Sequence, residues 1–112
     1  MSSQLTPWIC LLLAGLFEIV WAYFLKQSHG MTRLVPTLIT LVGMVLSFGL
    51  LAQAMKTIPL GTAYTLWTGI GAVGAFAVGI LFLGEHLTLT RLVAATLIVA
   101  GLILMKLSAP PA

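Results

Sequence analysis

The sequence predicts an all-α membrane protein with four transmembrane helices in each chain. The 112 residues are 61% hydrophobic and only 6% charged, whereas soluble domains have about 45–50% apolar and about 25% charged residues. The apolar residues form four runs of membrane-spanning length, separated by short polar segments. Five basic and two acidic residues are too few to cover a water-exposed surface. The composition therefore disfavours a soluble fold.

Four apolar runs have the length of membrane spans. A bilayer core about 30 Å thick requires about 20 apolar residues in a helix. We predict spans at residues 5–25, 34–55, 60–83 and 87–105, within a single transmembrane domain that covers residues 1–112. The connections between these runs are too short to hold a further domain, and they make consecutive helices antiparallel neighbours.

The loop sequences contain signals for helix ends. His29 and Gly30 fit the end of the first helix and a turn. Thr32 and Thr88 precede the second and fourth apolar runs, where a threonine hydroxyl can accept a hydrogen bond from a backbone N–H of the first turn. We predict that both residues are N-caps.

Few residues point to any other chemistry. Cys10 is the only cysteine, so the chain can form no internal disulfide, and His29 and His86 lie in separate loops, so no metal site or cofactor is predicted. No nucleophile and base pair is visible, so the protein is not expected to be an enzyme. The basic residues are dispersed at the ends of the apolar runs, a pattern typical of lipid headgroup contacts rather than of nucleic-acid binding.

The basic residues do not bias the orientation of the chain in the membrane. With four spans, Lys56 and Lys106 fall on one face together with both termini, and Lys26, Arg33 and Arg91 fall on the other. The free amino terminus cancels this difference, so the positive-inside rule selects neither orientation. No repeat relates the two halves of the chain, although transporters commonly use an inverted pair of repeats. We therefore predict that oppositely inserted copies form an antiparallel, dual-topology homodimer.

Glycine is concentrated in the third predicted span. Gly69, Gly71 and Gly74 lie near its centre, in the stretch GTAYTLWTGIGAVGAFAVG. Small residues let helices pack closely in lipid, and glycine also lowers the cost of bending a helix. Two roles, close packing and helix flexibility, therefore stay open for these three residues. Gly101, in the fourth span, is predicted to pack at the dimer interface.

Glu18 is the one charged residue at membrane depth, in the stretch GLFEIVWAYFLK. It lies about 10 Å from the nearer end of its span, too far for its side chain to reach the headgroups. An acidic side chain near the centre of a span costs about 2.5–3.5 kcal/mol on insertion scales, and such residues mark ion or proton pathways. Burial disfavours the charged carboxylate, and a bound cation favours it. Competition between a proton and a cation for Glu18 is the simplest basis for exchange.

Polar and aromatic residues on three helices are candidates to complete this site. Gly15 leaves room beside the carboxylate, and Trp21 offers an aromatic face to a cation one helical turn away. Ser47 is the most deeply placed hydroxyl of the second span, although it can instead bond its own helix backbone. Tyr64 and Trp67 share one stripe of the third span, with the membrane-interface belt as the alternative location.

Four stretches of the chain resemble the small multidrug resistance transporters. They are GLFEIVWA, HGMTRLVP, MKTIPLGTAYTLWTGIGAVGA and LIVAGLILMK, and the resemblance extends over essentially the whole chain. Members of that family are four-helix antiparallel homodimers that exchange protons for cations. The chain is similar to the guanidinium-exporter subtype, because multidrug members typically have glycine at the position of Trp21 and AYAIWSG in place of AYTLWTG. The resemblance implies a multi-pass protein of the bacterial inner membrane.

The resemblance also implies roles for individual residues. Glu18 is expected to be the carboxylate that proton and substrate share. Trp21, Ser47 and Trp67 are expected to form its polar and aromatic surround, and Tyr64 is expected to assist gating or coupling. These roles remain expectations from the family at this point.

The implied function is proton-coupled export of guanidinium and small substituted guanidinium cations by alternating access. Guanidinium is planar and weakly hydrated, pairs two donors with a carboxylate and stacks on aromatic rings. Two alternatives stay open. One is export of hydrophobic quaternary ammonium compounds, and the other is an accessory membrane subunit that transports nothing itself.

Overall fold

Helices dominate the computed structural model, which describes residues 2–109. Within these residues the chain forms four α-helices, namely α1 (Ser2–Gln27), α2 (Leu34–Ala54), α3 (Leu60–Phe82) and α4 (Leu89–Leu107). Each contains a segment long and apolar enough to cross a membrane. The predicted all-α fold class with four candidate spans is therefore confirmed. Residue 1 and residues 110–112 of the predicted domain lie outside the described residues.

Helix α1 is the central element of the bundle. It packs against both α2 and α3, whereas α2 and α3 have little mutual contact and α4 packs against α3. The side of α2 that faces α1 is made of small buried residues, with Thr40, Gly43 and Ser47 separated by three and four positions. Small residues at this spacing form one stripe along a helix and allow close approach of the helix axes.

The buried apolar core lies towards one end of the bundle. Its members come from the first half of α1, the end of α2, the α2–α3 connection and the beginning of α3, which adjacent antiparallel helices bring to the same side of the membrane. They are Leu11, Ala14, Leu51, Ala54, Ile58, Ala63, Leu66 and Trp67.

Helix α4 lies at the edge of this core, against which its partly buried Leu102 and Met105 pack. It contributes no buried residue, and large side chains such as Leu97 and Leu104 are 67% and 66% exposed. Two cationic side chains on α4 lie over aromatic rings. The Arg91 guanidinium is 5.3 Å from the Phe76 ring centroid, and Lys106 Nζ is 4.3 Å from the Trp8 ring centroid. The second contact joins the end of α4 to α1.

The α1–α2 loop contains a left-handed turn. His29, Gly30 and Met31 have φ angles of 50°, 74° and 67°, a region that glycine adopts without strain and other residues seldom adopt. The predicted turn after α1 is therefore confirmed at His29 and Gly30. It reverses the chain within a few residues, so α2 returns alongside α1.

Ser28 stabilises this turn from the inside. Its side chain is completely buried, and its Oγ donates a hydrogen bond to the Leu25 carbonyl (2.6 Å) and accepts one from the Met31 N–H (3.0 Å). The Ser28 carbonyl accepts further bonds from the N–H groups of Thr32 (2.9 Å) and Arg33 (3.1 Å). One buried residue thus provides an acceptor for three backbone N–H groups of the loop, those of Met31, Thr32 and Arg33.

The two predicted N-caps have different outcomes. Thr88 caps α4, because its Oγ1 accepts a bond from the Arg91 N–H (3.2 Å), so this prediction is confirmed. The prediction for Thr32 is wrong. Helix α2 begins one residue later, after Arg33, and the Thr32 hydroxyl donates to the His29 carbonyl (2.8 Å) instead. The left-handed turn leaves that carbonyl in need of a donor, and the hydroxyl supplies it.

Replacing Ser28 by alanine is expected to lower the free energy of unfolding by about 1–3 kcal/mol, because the Leu25 carbonyl and the Met31 N–H each lose their bond to a completely buried hydroxyl. Thermal unfolding of the purified protein in detergent measures the change. Ser108→Ala is the matched control, since the Ser108 hydroxyl also donates to a carbonyl three residues earlier, Met105 (3.3 Å), but is exposed. Equal losses in the two variants would contradict the prediction.

Candidate functional site

Glu18 lies in the interior of the bundle, where the middle of α1 meets α3. Gly71 is the residue of α3 that faces it, and a Cβ atom at position 71 would overlap the Glu18 carboxylate. Oε1 of Glu18 is buried and has no hydrogen-bond partner among the described residues. A buried acceptor left unpaired costs about 1–3 kcal/mol. This oxygen is consequently free to accept a hydrogen bond from an incoming donor.

Ser47 joins three helices about one turn away from Glu18. Its Oγ donates to the Ala14 carbonyl of α1 (2.6 Å) and accepts a hydrogen bond from Trp67 Nε1 of α3 (2.9 Å). Both bonds are buried, and the hydroxyl has only one hydrogen to donate. Ser47 therefore bonds across the bundle rather than to its own helix, and its donor is not directed at the Glu18 carboxylate.

A series of aromatic rings extends from α1 to the surface of α3. The Trp21 and Phe48 centroids are 6.3 Å apart, Phe48 and Trp67 are 5.7 Å apart, and Trp67 and Tyr64 are 5.6 Å apart. The first two pairs meet edge to face, which is a favourable arrangement for aromatic side chains. Trp67 is buried, whereas Tyr64 is 53% exposed. Tyr64 thus lies at the outer end of the series.

The indole N–H of Trp21 has no acceptor within the described part of the chain, although it is buried. A buried tryptophan N–H usually finds a partner, as Trp67 does at Ser47. Trp21 lies three positions after Glu18 on the same helix. One turn of α1 consequently carries both a donor and an acceptor that are unpaired among the described residues.

The α3 glycines named in the sequence lie at close contacts with other helices. A Cβ atom at Gly69 would overlap Leu102 of α4, and one at Gly74 would overlap Ile19 of α1. Together with Gly71, these residues let α1 and α4 approach opposite sides of α3. The helix is continuous from Leu60 to Phe82, so this geometry supports a packing role for the three glycines.

The other two glycines named in the sequence differ from one another. A Cβ atom at Gly15 would lie 2.6 Å from the side chain of Ile70, so α1 and α3 approach closely just before Glu18. At Gly101, by contrast, no atom of the described residues lies within 4 Å of such a Cβ. Its predicted role at a dimer interface stays a prediction.

Sequence reasoning missed two residues of this region. Phe48 lies between the rings of Trp21 and Trp67, and its signal was that it is the one aromatic residue of α2. Gly43 is buried against Trp21, and its signal was the four-residue spacing from Ser47, which puts both on one face of α2.

Four helices of membrane-spanning length, with a carboxylate oxygen buried where α1 meets α3, are typical of a small multi-pass membrane transporter. The sequence matches the model of the Small Multidrug Resistance protein family over residues 6–98. The chain belongs to this family, and the predicted resemblance is confirmed.

Several relatives are similar over nearly their whole length. A protein of Salmonella typhimurium strain LT2 named guanidinium exporter is 60% identical over 102 residues, which are 91% of this chain and 97% of the relative. Proteins with the same name from Citrobacter freundii and Yersinia pseudotuberculosis are 57% and 55% identical over 101 residues, covering 90% of this chain and 96% and 97% of the relatives. The predicted location in the bacterial inner membrane, as a multi-pass protein, is confirmed.

Replacing Ser47 by alanine is expected to lower the free energy of unfolding by about 1–3 kcal/mol, because the buried Trp67 N–H loses its acceptor and α1 and α2 lose a bond between them. Thermal unfolding in detergent measures the loss. In a Trp67→Phe background the same substitution should cost less, because no indole N–H is then left unpaired.

Thr40→Val is the matched control for this prediction. Thr40 is also completely buried on α2, but its hydroxyl donates to the Pro36 carbonyl of its own helix (2.8 Å). The loss of unfolding free energy in Thr40→Val should be smaller, since the Pro36 carbonyl is also an acceptor within the backbone of α2. A cost at position 40 equal to that at position 47, or a Ser47→Ala cost independent of Trp67, would contradict the prediction.

Proposed function

We propose that this protein is a proton-coupled antiporter that exports guanidinium and small substituted guanidinium cations by alternating access. The observation that carries the proposal is the buried Glu18 oxygen with no hydrogen-bond partner in residues 2–109. The relatives named guanidinium exporter, up to 60% identical to this chain, support the choice of substrate.

Guanidinium matches the groups around Glu18 in shape and in hydrogen bonding. It is planar, donates two parallel hydrogen bonds to a carboxylate and stacks against aromatic rings, and the rings of Trp21, Phe48 and Trp67 form one contact series in this region. An ionised carboxylate has about four lone-pair sites. Glu18 can therefore accept two bonds from the cation and one more from the Trp21 indole.

The exchange follows from competition at one carboxylate. A cation stabilises the ionised form of Glu18, and removal from water stabilises the protonated form. Substrate that binds on one side of the membrane thus releases a proton, and a proton that arrives from the other side releases the substrate. No second charged side chain at membrane depth is needed for this cycle.

The proposal includes an antiparallel dual-topology homodimer. The exposed apolar side chains of α4 and the open space at Gly101 leave a surface that a second copy can cover. The even distribution of basic residues supports insertion in both orientations. Two inverted copies supply the symmetry that alternating access requires and that one chain lacks.

Electrical currents from purified protein in liposomes test the transport proposal. Guanidinium should evoke a proton-coupled current in the wild type, whereas Glu18→Gln should reduce it to the level of protein-free liposomes, because the amide can neither ionise nor exchange a proton. Glu85→Gln is the matched control, since Glu85 lies exposed in the α3–α4 loop, and its current should equal that of the wild type.

Two outcomes of this experiment favour the alternatives. Currents with quaternary ammonium compounds and none with guanidinium would assign the protein to multidrug export. Proton-coupled transport that persists in Glu18→Gln would remove the exchange mechanism and strengthen the accessory-subunit hypothesis.

Reporter fusions at the C-terminus test the dual topology. Fusions that are active only in the cytoplasm and fusions that are active only outside it should both give signals, because the charges select neither orientation. The control adds two lysines to one face through Thr57→Lys and Ser108→Lys, both exposed near Lys56 and Lys106 in the sequence, and should shift the signal to one side. A signal from only one side of the membrane in the wild type would contradict the dual-topology proposal.

A further inference from the structure

Gly43 lies where α2 comes closest to Trp21. It is buried in the face of α2 that packs on α1. A Cβ atom at this position would lie 2.9 Å from Trp21 Cβ, 3.6 Å from its Cα and 3.7 Å from its Cγ. The first distance is shorter than carbon atoms tolerate, so alanine cannot fit without a shift of one helix.

The contact is stiff because it involves the base of the tryptophan side chain. Cα and Cβ of Trp21 are fixed by the backbone of α1, and no rotation about a side-chain bond moves them away. An added methyl group must therefore push α1 and α2 apart locally by a few tenths of an ångström. By contrast, a Cβ atom at Gly49, six residues later on α2, would meet no atom of residues 2–109 within 4 Å.

Two contacts between α1 and α2 bracket Glu18. Ser47 bonds to the Ala14 carbonyl, four residues before Glu18, and Gly43 packs on Trp21, three residues after it. Residues 43 and 47 lie one turn apart on α2, and residues 14 and 21 lie two turns apart on α1, with Glu18 between them. The α1 segment that carries the carboxylate is thus held against α2 on both sides.

We propose that Gly43 is a positioning residue for the cation site. Its missing side chain lets α2 pack against the base of Trp21, and this contact sets the position of the indole on the same turn of α1 as Glu18. The inference rests on the proposed transport function, since positioning is defined by the effect on cation binding. Gly43 does not touch the cation and acts through Trp21.

Guanidinium currents from Gly43→Ala test the effect on binding. The KM for guanidinium should rise about tenfold, because a displacement of a few tenths of an ångström misplaces the ring and N–H of Trp21, and the maximal current should fall much less. Gly49→Ala is the matched control and should keep the wild-type KM. A wild-type KM in Gly43→Ala overturns the inference even where the variant is less stable, because the role is then structural only.

A mutant cycle in thermal unfolding tests the contact itself and needs no transport. Gly43→Ala should lower Tm in the wild-type background and in Trp21→Phe, which keeps the Cβ atom, but not in Trp21→Gly, which removes it. Equal losses in all three backgrounds overturn the inference, because the methyl group then meets something other than Trp21.

The same experiments separate this inference from the proposed function. Absence of a guanidinium current in the wild type removes the transport proposal, and the positioning role falls with it. A normal wild-type current combined with a normal KM in Gly43→Ala removes the positioning role alone.

Discussion

The hydroxyl of Ser47 determines how three of the four helices meet. It donates to the Ala14 carbonyl of α1 and accepts from the Trp67 indole of α3, in a region where lipid offers no competing hydrogen bonds. Breaking either bond leaves a buried polar group unpaired or weakens a helix contact, so the two bonds fix the register of α2 against α1 and α3. The bond to Ala14 uses the only hydrogen of the hydroxyl.

Close helix approach is the second requirement for this geometry. Glycine occurs where α1 meets α3, at Gly15, Gly71 and Gly74, and where α1 meets α2, at Gly43. Association in lipid depends on such packing, because lipid tails are as apolar as the side chains they would replace. The Glu18 carboxylate thereby lies against Gly71 of α3, and α4 packs on α3 rather than on α1.

The sequence was sufficient to predict the four helices and the position of Glu18 within a span. It was insufficient to predict the contacts between helices around Glu18. Apolar runs of membrane length and a lone charge at membrane depth are properties of one helix at a time. The bond from Ser47 to Ala14 depends instead on the register between two helices. The pattern of residues along one helix does not predict that register. Thr32 was misassigned for a similar reason, since the left-handed turn before it presents a carbonyl that competes for its hydroxyl, whereas Thr88 meets no such competitor.

Two unpaired groups on one turn of α1 constrain how the proposed exchange can operate. Left without a hydrogen-bond partner, the buried Glu18 oxygen and the buried Trp21 N–H each cost about 1–3 kcal/mol of stability. Two apolar residues would avoid this cost. Guanidinium carries donors only, so it pairs the oxygen and leaves the indole N–H free. A proton on Glu18 likewise turns one oxygen into a donor. In either state a carboxylate oxygen keeps a lone pair for a further donor, and under the proposed exchange the indole N–H on the same turn of α1 is a candidate for that donor.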